Sequence, residues 1–189
     1  TFTLNEWNAH LSRLSREWKT IHDGFETHAG RIVSNRRVIL GNNLSPAFAR
    51  ILARRARVTR AEIHAIHPRG DAAQKMAQGD ALILDAHAVS ESGEFFCGKE
   101  ALSVTLMARG ADVPVYVRAS PFLFGPRAKK EIETPVLPIH VFQVITEKGI
   151  FPPAIFLGEL EKQRRDARKA FSAFAQETFI NANPLSRRD

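Results

Sequence analysis

The run Val38-Ile39-Leu40-Gly41-Asn42-Asn43-Leu44-Ser45-Pro46 passes from a strand pattern into a helix pattern. Its first three residues are apolar and mostly β-branched, which predicts a short buried strand. Ser45 is a favoured N-cap residue and Pro46 suits the first helical position, so a helix is predicted to begin there. Apolar residues then recur at helical spacing and predict the buried side of that helix, namely Phe48, Ile51, Leu52 and Ala56.

The same alternation continues on the C-terminal side of this unit. Further strands are predicted at 62–66, 81–84, 113–117 and near 139–145, with helices at 72–78 and 98–108. Strands that alternate with helices form a mostly parallel sheet through right-handed crossovers. We therefore predict an α/β fold with a mostly parallel Rossmann-like sheet, helices on both faces and a ligand at the carboxyl ends of the strands. The proline-rich stretch 121–138 is predicted to be a surface loop.

Helices are also predicted at both ends of the chain. The first follows a capping box, Thr3-Leu4-Asn5-Glu6, and is predicted to run about five turns through Leu4, Trp7, Leu11, Leu14, Trp18 and Ile21. This amphipathic helix either packs on its own domain or forms a seam to another subunit. The last helix is predicted at 158–179. We expect a helical arm at 1–33, a Rossmann-like α/β domain at 34–153 and a helical extension at 154–189.

Composition excludes several classes of protein. With 189 residues and 44% apolar content, the chain can bury a core without disulfides or metals. Its single cysteine, Cys97, rules out an internal disulfide framework and a thiolate-rich zinc site. No apolar run reaches the roughly 18 residues of a membrane span, and the sequence does not open on a signal-like segment. We expect a cytoplasmic protein with no membrane contact, no cofactor and no metal site.

Positive charge is concentrated in one segment. The chain has a formal net charge of +7, and eight arginines with no acidic residue lie between Arg31 and Arg60. Such a segment favours an anionic small molecule or a polyanion as partner. Four arginines of the predicted helix form either a solvated face or a contact for structured RNA, namely Arg50, Arg54, Arg55 and Arg57. Base stacking is not indicated, because the segment's one aromatic residue, Phe48, is predicted to be buried.

Three stretches, in this order, resemble one known family. They are Val38 to Ser45, the run from Gly79-Asp80-Ala81-Leu82-Ile83-Leu84-Asp85-Ala86-His87-Ala88-Val89 to Val113-Pro114-Val115-Tyr116-Val117, and Ile145-Thr146-Glu147-Lys148-Gly149-Ile150. The family contains the regulatory subunits of eukaryotic translation initiation factor two-B, methylthioribose-1-phosphate isomerase and ribose-1,5-bisphosphate isomerase. The resemblance implies its C-terminal Rossmann-like domain in a trimmed form. The family's larger N-terminal helical domain is mostly absent, and residues 69–80 are too few for the helix, strand and helix usual there.

The resemblance also implies a catalytic cysteine in the turn after the first strand and a catalytic aspartate in the turn after the strand at 81–84. These positions hold Asn43 and His87 in this chain. Asparagine cannot transfer a proton at neutral pH, whereas imidazole can. The catalytic pair is therefore not matched. If the chain is a sugar-phosphate isomerase, its candidate catalytic residues are His87, Asp85 and Cys97; the alternative is a hydrogen-bonded structural histidine and an inert buried cysteine.

A phosphate site is predicted where the helix follows the first strand. Backbone N–H groups and the helix dipole favour an anion there, and arginine can bind phosphate through two hydrogen bonds. In the alternative interpretation Ser45 only caps its helix and Arg69 is solvated. The candidate phosphate-binding residues are Gly41, Asn42, Asn43, Ser45, Arg69 and Lys99.

Three functions are consistent with these patterns. The first is a non-catalytic or regulatory domain, similar to initiation factor two-B, that binds a nucleotide or sugar phosphate and assembles with itself or a partner subunit. The second is an aldose-ketose isomerase that acts on sugar phosphates. The third is an RNA- or ribosome-associated structural protein that uses the basic segment between Arg31 and Arg60. The unmatched catalytic pair favours the first.

Overall fold

Five α-helices and eight short strands make up the part of the chain that the computed structural model describes, residues 4–120 and 134–182. The helices are α1 (Leu4–Val33), α2 (Pro46–Thr59), α3 (Ala72–Gln78), α4 (Ala101–Gly110) and α5 (Pro153–Ala182), with a 3-10 turn at Pro138–His140. The strands are β1 (Val38–Asn42), β2 (Glu62–Ala65), β3 (Ala81–Asp85), β4 (Ala88–Val89), β5 (Phe95–Phe96), β6 (Val115–Arg118), β7 (Gln143–Ile145) and β8 (Ile150–Phe151).

Six of the strands form one sheet in the order β2-β1-β3-β6-β7-β8. All neighbouring pairs are parallel except β7 and β8, which are antiparallel. The order places the carboxyl ends of β1, β3 and β6 side by side, with Asp85 in register with Arg118. β4 and β5 form a separate antiparallel pair directly after β3. The mostly parallel α/β sheet predicted from the sequence is confirmed.

One face of the sheet is covered by α1 and α2. The C-terminal half of α1 buries Phe25, Ala29, Ile32 and Val33, and the side of α2 that the sequence predicts to be buried is buried. Burying a large apolar side chain stabilises the fold by about 2 kcal/mol. This layer therefore fixes α1 and the start of α2 relative to the strand ends. The buried sheet residues beneath the two helices are Ile39, Ala81, Ile83, Tyr116 and Ile145.

The intervening side chains of the strands point to the other face, because successive residues of a strand project in opposite directions. Leu40, Leu82 and Leu84 are fully buried, and α3 and α4 contact β1, β3 and β6. Gly79 lies close to this layer, since a Cβ atom there would be 2.5 Å from Leu40 Cδ1. The sheet thus has helices on both faces, as predicted.

The first helix is longer than predicted. The apolar spacing predicts about five turns ending near Ile21, whereas α1 is a 30-residue helix that ends at Val33. Glycine is a poor helix former, yet α1 continues through Gly24 because the chain packs closely there. A Cβ atom on Gly24 would lie 2.1 Å from the carbonyl oxygen of Glu147. Tertiary packing of the C-terminal half of α1 outweighs the local propensity.

Three other boundaries differ from the prediction. The helix predicted from Gly98 begins at Ala101, because Gly98 has φ of +104°, outside the helical range. The strand predicted over 139–145 is limited to its last three residues, because Pro138–His140 forms a 3-10 turn. The helix predicted at 158–179 begins at Pro153. Most of the surface loop predicted at 121–138 lies outside the described residues.

The chain divides into two compact units, residues 1–153 and 154–189. The second unit contains nearly all of α5, in which Lys162, Arg165, Arg168 and Lys169 are exposed. None of the described helices is both long enough and apolar enough to cross a membrane.

Candidate functional site at the carboxyl edge of the sheet

A cavity of about 610 Å³ lies at the carboxyl ends of β1, β3 and β6. Ligands bind at this edge in open parallel sheets, and the volume is typical of small-molecule sites. Strand ends supply its polar groups, and one side of α1 supplies an apolar wall. The described residues that line it are Leu14, Glu17, Ile21, Phe25, Asn43, Ser45, Asp85, Ala86, His87, Cys97, Gly98, Arg118 and Ser120.

Asp85 ends β3, and its carboxylate is buried at the bottom of this edge. Oδ2 accepts a hydrogen bond of 2.9 Å from the backbone N–H of Ser45. Oδ1 accepts one of 2.6 Å from Arg118 Nη1. The register of β3 with β6 and the position of the turn after β1 bring the two donors to the carboxylate. Asp85 is therefore held by two charge-assisted hydrogen bonds.

Arg118 ends β6 and is fixed by more than its ion pair. Its guanidinium carbon lies 4.5 Å from the centre of the Phe25 ring and 5.1 Å from that of Phe48. Such cation–π contacts favour a fixed orientation of the guanidinium plane. Its Nε atom is covered and meets no hydrogen-bond acceptor among the described residues. The remaining contacts make Arg118 the link between α1, α2 and Asp85.

The N-terminus of α2, where the sequence predicts a phosphate, is largely satisfied by the chain itself. The N–H of Ser45 donates a hydrogen bond to Asp85 Oδ2. Ser45 Oγ accepts a long hydrogen bond of 3.4 Å from Phe48 N. Pro46 has no N–H group. The N–H of Ala49 donates to the Ser45 carbonyl oxygen at 2.9 Å. The carboxylate of Asp85 thus lies where the predicted anion would be bound.

Asn43 and Gly98, which both line the cavity, lie in tight contact with each other. Asn43 has φ of +51°, in the left-handed region that asparagine tolerates. Its Nδ2 donates to Asn42 Oδ1 at 2.8 Å, and Asn42 Nδ2 donates to the Ile66 carbonyl oxygen at 2.8 Å. A Cβ atom on Gly98 would lie 2.4 Å from Asn43 Nδ2. The turn after β1 is therefore built from a chain of amide hydrogen bonds.

The two other candidate catalytic residues also reach the cavity. His87 follows the end of β3 and is exposed, and its backbone N–H donates to the Phe96 carbonyl oxygen at 2.9 Å. Cys97 directly follows β5 and is buried. The structure therefore brings Asp85, His87 and Cys97 to one cavity. Their catalytic roles stay a prediction.

Four of the six predicted phosphate-binding residues do not line the cavity. Gly41 is buried within β1, and the side chain of Asn42 is committed to its amide contacts. Arg69 and Lys99 are exposed and absent from the described lining. The structure brings only Asn43 and Ser45 of this set to the cavity.

Several lining residues were not predicted. Arg118 directly follows the apolar strand pattern 113–117, and a charged residue at the carboxyl end of a parallel strand is a detectable signal. Ser120 lies two residues further. Leu14 and Ile21 belong to the apolar stripe of the first helix, but the stripe alone does not indicate which edge of the sheet it reaches. Glu17 carries no pattern that would have identified it.

The arginines of α2 have an acidic neighbour that the local sequence does not show. Glu26 of α1 is buried, forms an ion pair with Arg54 and lies 3.5 Å from Arg55. Arg50 Nε donates to a carbonyl oxygen of its own helix at 3.1 Å, and Arg57 is exposed. The segment is therefore less basic in three dimensions than along the chain. Contact with RNA stays a prediction.

His22, Asp23 and Glu26 each place one possible metal ligand within 4.8 Å of the others. Glu26 already pairs with Arg54 and Arg55. The positive charge of the two guanidinium groups opposes a cation at this position. The group gives no support for a metal site.

No family model matches the sequence of the chain. No curated protein matches it either. Among solved structures, translation initiation factor eIF-2B from Pyrococcus horikoshii OT3 is similar, with 14% identity and a TM-score of 0.62 over 81% of this chain and 72% of that one. The tetrameric eIF2B-beta2-delta2 complex from C. thermophilum gives 14% identity and a TM-score of 0.66 over 82% of this chain and 63% of that one.

A third similar structure is 5-methylthioribose 1-phosphate isomerase from Pyrococcus horikoshii OT3. It has 13% identity and a TM-score of 0.57 over 76% of this chain and 59% of that one. The chain spans less than two thirds of the isomerase and of the chain from the tetrameric complex. At these identities the likeness concerns the fold. The resemblance predicted from three short stretches is confirmed at that level.

Proposed function

We propose, from the fold that the chain shares with eIF-2B proteins and with 5-methylthioribose 1-phosphate isomerase, that it is a non-catalytic or regulatory domain that binds a nucleotide or sugar phosphate. The observation that carries this proposal is the cavity at the carboxyl edge, which combines an apolar wall from α1 with polar groups from three strand ends. Ligand sites commonly have this composition. Assembly with itself or a partner subunit belongs to the same proposal, since Leu11 of α1 is exposed.

The polar groups of the cavity support binding more than catalysis. Asn43 and His87 stand where the family resemblance implies a cysteine and an aspartate, and an amide cannot shuttle a proton. Asp85 is held by Ser45 N–H and Arg118. A carboxylate fixed in this way is a good hydrogen-bond acceptor, but each of its two oxygens already accepts a hydrogen bond from one of these donors.

Ligand binding is tested by thermal shift and calorimetry with millimolar ribose 5-phosphate and AMP. A ligand that binds only the folded state raises the melting temperature by mass action. Leu14→Trp places a larger side chain on the cavity wall and is expected to abolish the shift. Ser15→Trp is the control, because Ser15 is an exposed residue of α1 that does not line the cavity. No shift with either ligand in the wild-type chain would reject the ligand-binding part of the proposal.

An isomerase is the second candidate, because Asp85, His87 and Cys97 line one cavity. It predicts conversion of aldose phosphates to ketose phosphates and strong loss of turnover in a His87→Ala/Cys97→Ala double variant. Equal turnover in wild type and variant would reject these roles. Any wild-type turnover that the double variant loses would overturn the non-catalytic proposal.

Contact with structured RNA is the third candidate, supported by exposed Arg50 and Arg57 on α2. Each phosphate neutralised on a duplex adds about −0.9 to the slope of log affinity against log salt. A footprint made by these arginines predicts a slope of about −2 or steeper, reduced in an Arg50→Gln/Arg57→Gln variant. A slope near zero would exclude it. Arg165→Gln/Arg168→Gln in α5 is the charge-matched control.

A further inference from the structure

The polar end of the cavity is occupied by the chain's own anion. Asp85 fills the space between the Ser45 N–H and Arg118 Nη1, and the neighbouring N–H groups of Phe48 and Ala49 have acceptors within the α2 turn. A phosphate placed there would meet a fixed carboxylate at short range. Like charges at such distances repel strongly when they are shielded from water.

The acidic balance of the lining reinforces this effect. Arg118 offsets Asp85, and Glu17 adds a second carboxylate from α1. Glu17 is exposed and pairs with Arg13 at 2.9 Å, so its charge is partly screened. The cavity therefore has no cationic excess among its described aspartate, glutamate and arginine residues. A dianion gains little from such a wall.

Asp85 nevertheless has hydrogen-bonding capacity left. An ionised carboxylate has about four lone-pair positions, and the contacts with Ser45 and Arg118 use two of them. The carboxylate lines the cavity and cannot rotate without losing both donors. It is a preorganised acceptor, and the groups that complement it are hydroxyl donors.

We propose that Asp85 is a ligand-binding residue that accepts hydrogen bonds from sugar hydroxyl groups. The phosphate of the ligand then lies away from the α2 N-terminus, at the opposite end of the bound molecule. Arg118 is a positioning residue, because it orients the carboxylate. This inference rests on the proposed binding of a nucleotide or sugar phosphate in the cavity, and it states which end of that molecule meets the strand ends.

Calorimetry with four probes tests the assignment, namely ribose, ribose 5-phosphate, AMP and inorganic phosphate. The wild-type chain is expected to bind at least one sugar phosphate. Asp85→Asn is expected to weaken sugar binding about 10-fold, the effect of losing a charged acceptor. The same variant removes the negative charge and is expected to bind inorganic phosphate better. Asp112→Asn is the control, since Asp112 is exposed and asparagine tolerates its φ of +55°.

A test on the ligand side covers the case in which Asp85→Asn fails to fold. The 2-deoxy and 3-deoxy analogues of ribose 5-phosphate are compared with the parent compound on the wild-type chain. At least one is expected to bind about 10-fold more weakly, because a hydroxyl donor to Asp85 is missing. Equal affinity for all three would overturn the role of Asp85 while leaving the binding proposal intact. If the wild-type chain binds none of the sugar probes, the binding proposal itself fails, and the role of Asp85 fails with it.

Discussion

Two aspartates lie at the two ends of strand β3, and each accepts two hydrogen bonds from N–H donors. Their surroundings differ. Asp80 precedes the strand at the amino edge of the sheet, and Asp85 ends it at the carboxyl edge. Asp80 Oδ2 accepts hydrogen bonds from Arg37 N at 2.6 Å and Val38 N at 2.9 Å. These contacts keep the pKa of Asp80 below its ordinary value, with smaller contributions from nearby arginines. This carboxylate is exposed and fastens the start of β1.

Asp85 also accepts two N–H donors, but it is buried and faces the cavity. One of its donors, Arg118, is a side chain rather than backbone. Both aspartates have two hydrogen-bond donors and an arginine nearby. These features alone therefore do not identify a functional residue. The parallel topology decides which of the two meets a cavity. The following predictions separate a structural carboxylate from one that serves a site.

Removal of Arg118 has the largest expected effect on stability. Arg118→Met leaves Asp85 buried with one donor instead of two, and breaking a buried ion pair costs about 3 kcal/mol of unfolding free energy. The loss is read from urea unfolding at neutral pH. Arg13→Met removes an exposed ion pair with Glu17 and is expected to cost less than about 1 kcal/mol.

The double variant Arg118→Met/Asp85→Leu tests the cause. Without the buried carboxylate, the penalty for the missing guanidinium disappears, and much of the lost stability is expected to return. A double variant as unstable as Arg118→Met alone would show that the loss comes from the contacts of Arg118 with Phe25 and Phe48.

Gly98→Ala has the next largest effect. The substitution puts a side chain on a backbone with φ of +104° and a Cβ atom 2.4 Å from Asn43 Nδ2, so a loss of about 2 kcal/mol is expected. Gly70→Ala is the matched control, because Gly70 has φ of +65° and nothing within 4 Å of its added Cβ atom. It is expected to lose about 1 kcal/mol from the backbone alone. Equal losses in the two variants would show that Asn43 moves aside without cost.

Local patterns predicted much of this edge of the sheet. Ser45 and Pro46 indicated the start of α2, and the apolar run before them indicated β1. These signals depend on neighbours in sequence, so they can be read from one chain. Asn43 and His87 were also placed near the carboxyl edge, since residues after parallel strands meet there.

The partners across the sheet could not be read in this way. The hydrogen bond between Ser45 and Asp85 joins residues 40 positions apart, and the ion pair of Glu26 with Arg54 joins residues 28 apart. Neither pairing can be inferred from the spacing of neighbouring residues in the sequence. The predicted phosphate site assumed open N–H groups at the start of α2, and only tertiary structure shows which carboxylate meets them.

The smallest effect is expected at Asp80. Asp80→Asn weakens two hydrogen bonds to the backbone at the start of β1, and because the site is exposed to solvent the expected loss is only about 1 kcal/mol. The folded-state pKa of Asp80 is lowered, so its stabilisation is complete above the unfolded value of about 3.9 and is lost as pH falls through the folded value. The difference in urea midpoint between wild type and variant should therefore stay constant from pH 7 to 5 and shrink below pH 4.

Asp71→Asn, which removes an exposed contact with Lys75, should change stability by less than about 0.5 kcal/mol at any of these pH values. A difference for Asp80→Asn that persists unchanged at pH 3 would show that the stabilisation does not depend on ionisation of the Asp80 carboxyl group, and the contrast with Asp85 would then rest on burial alone.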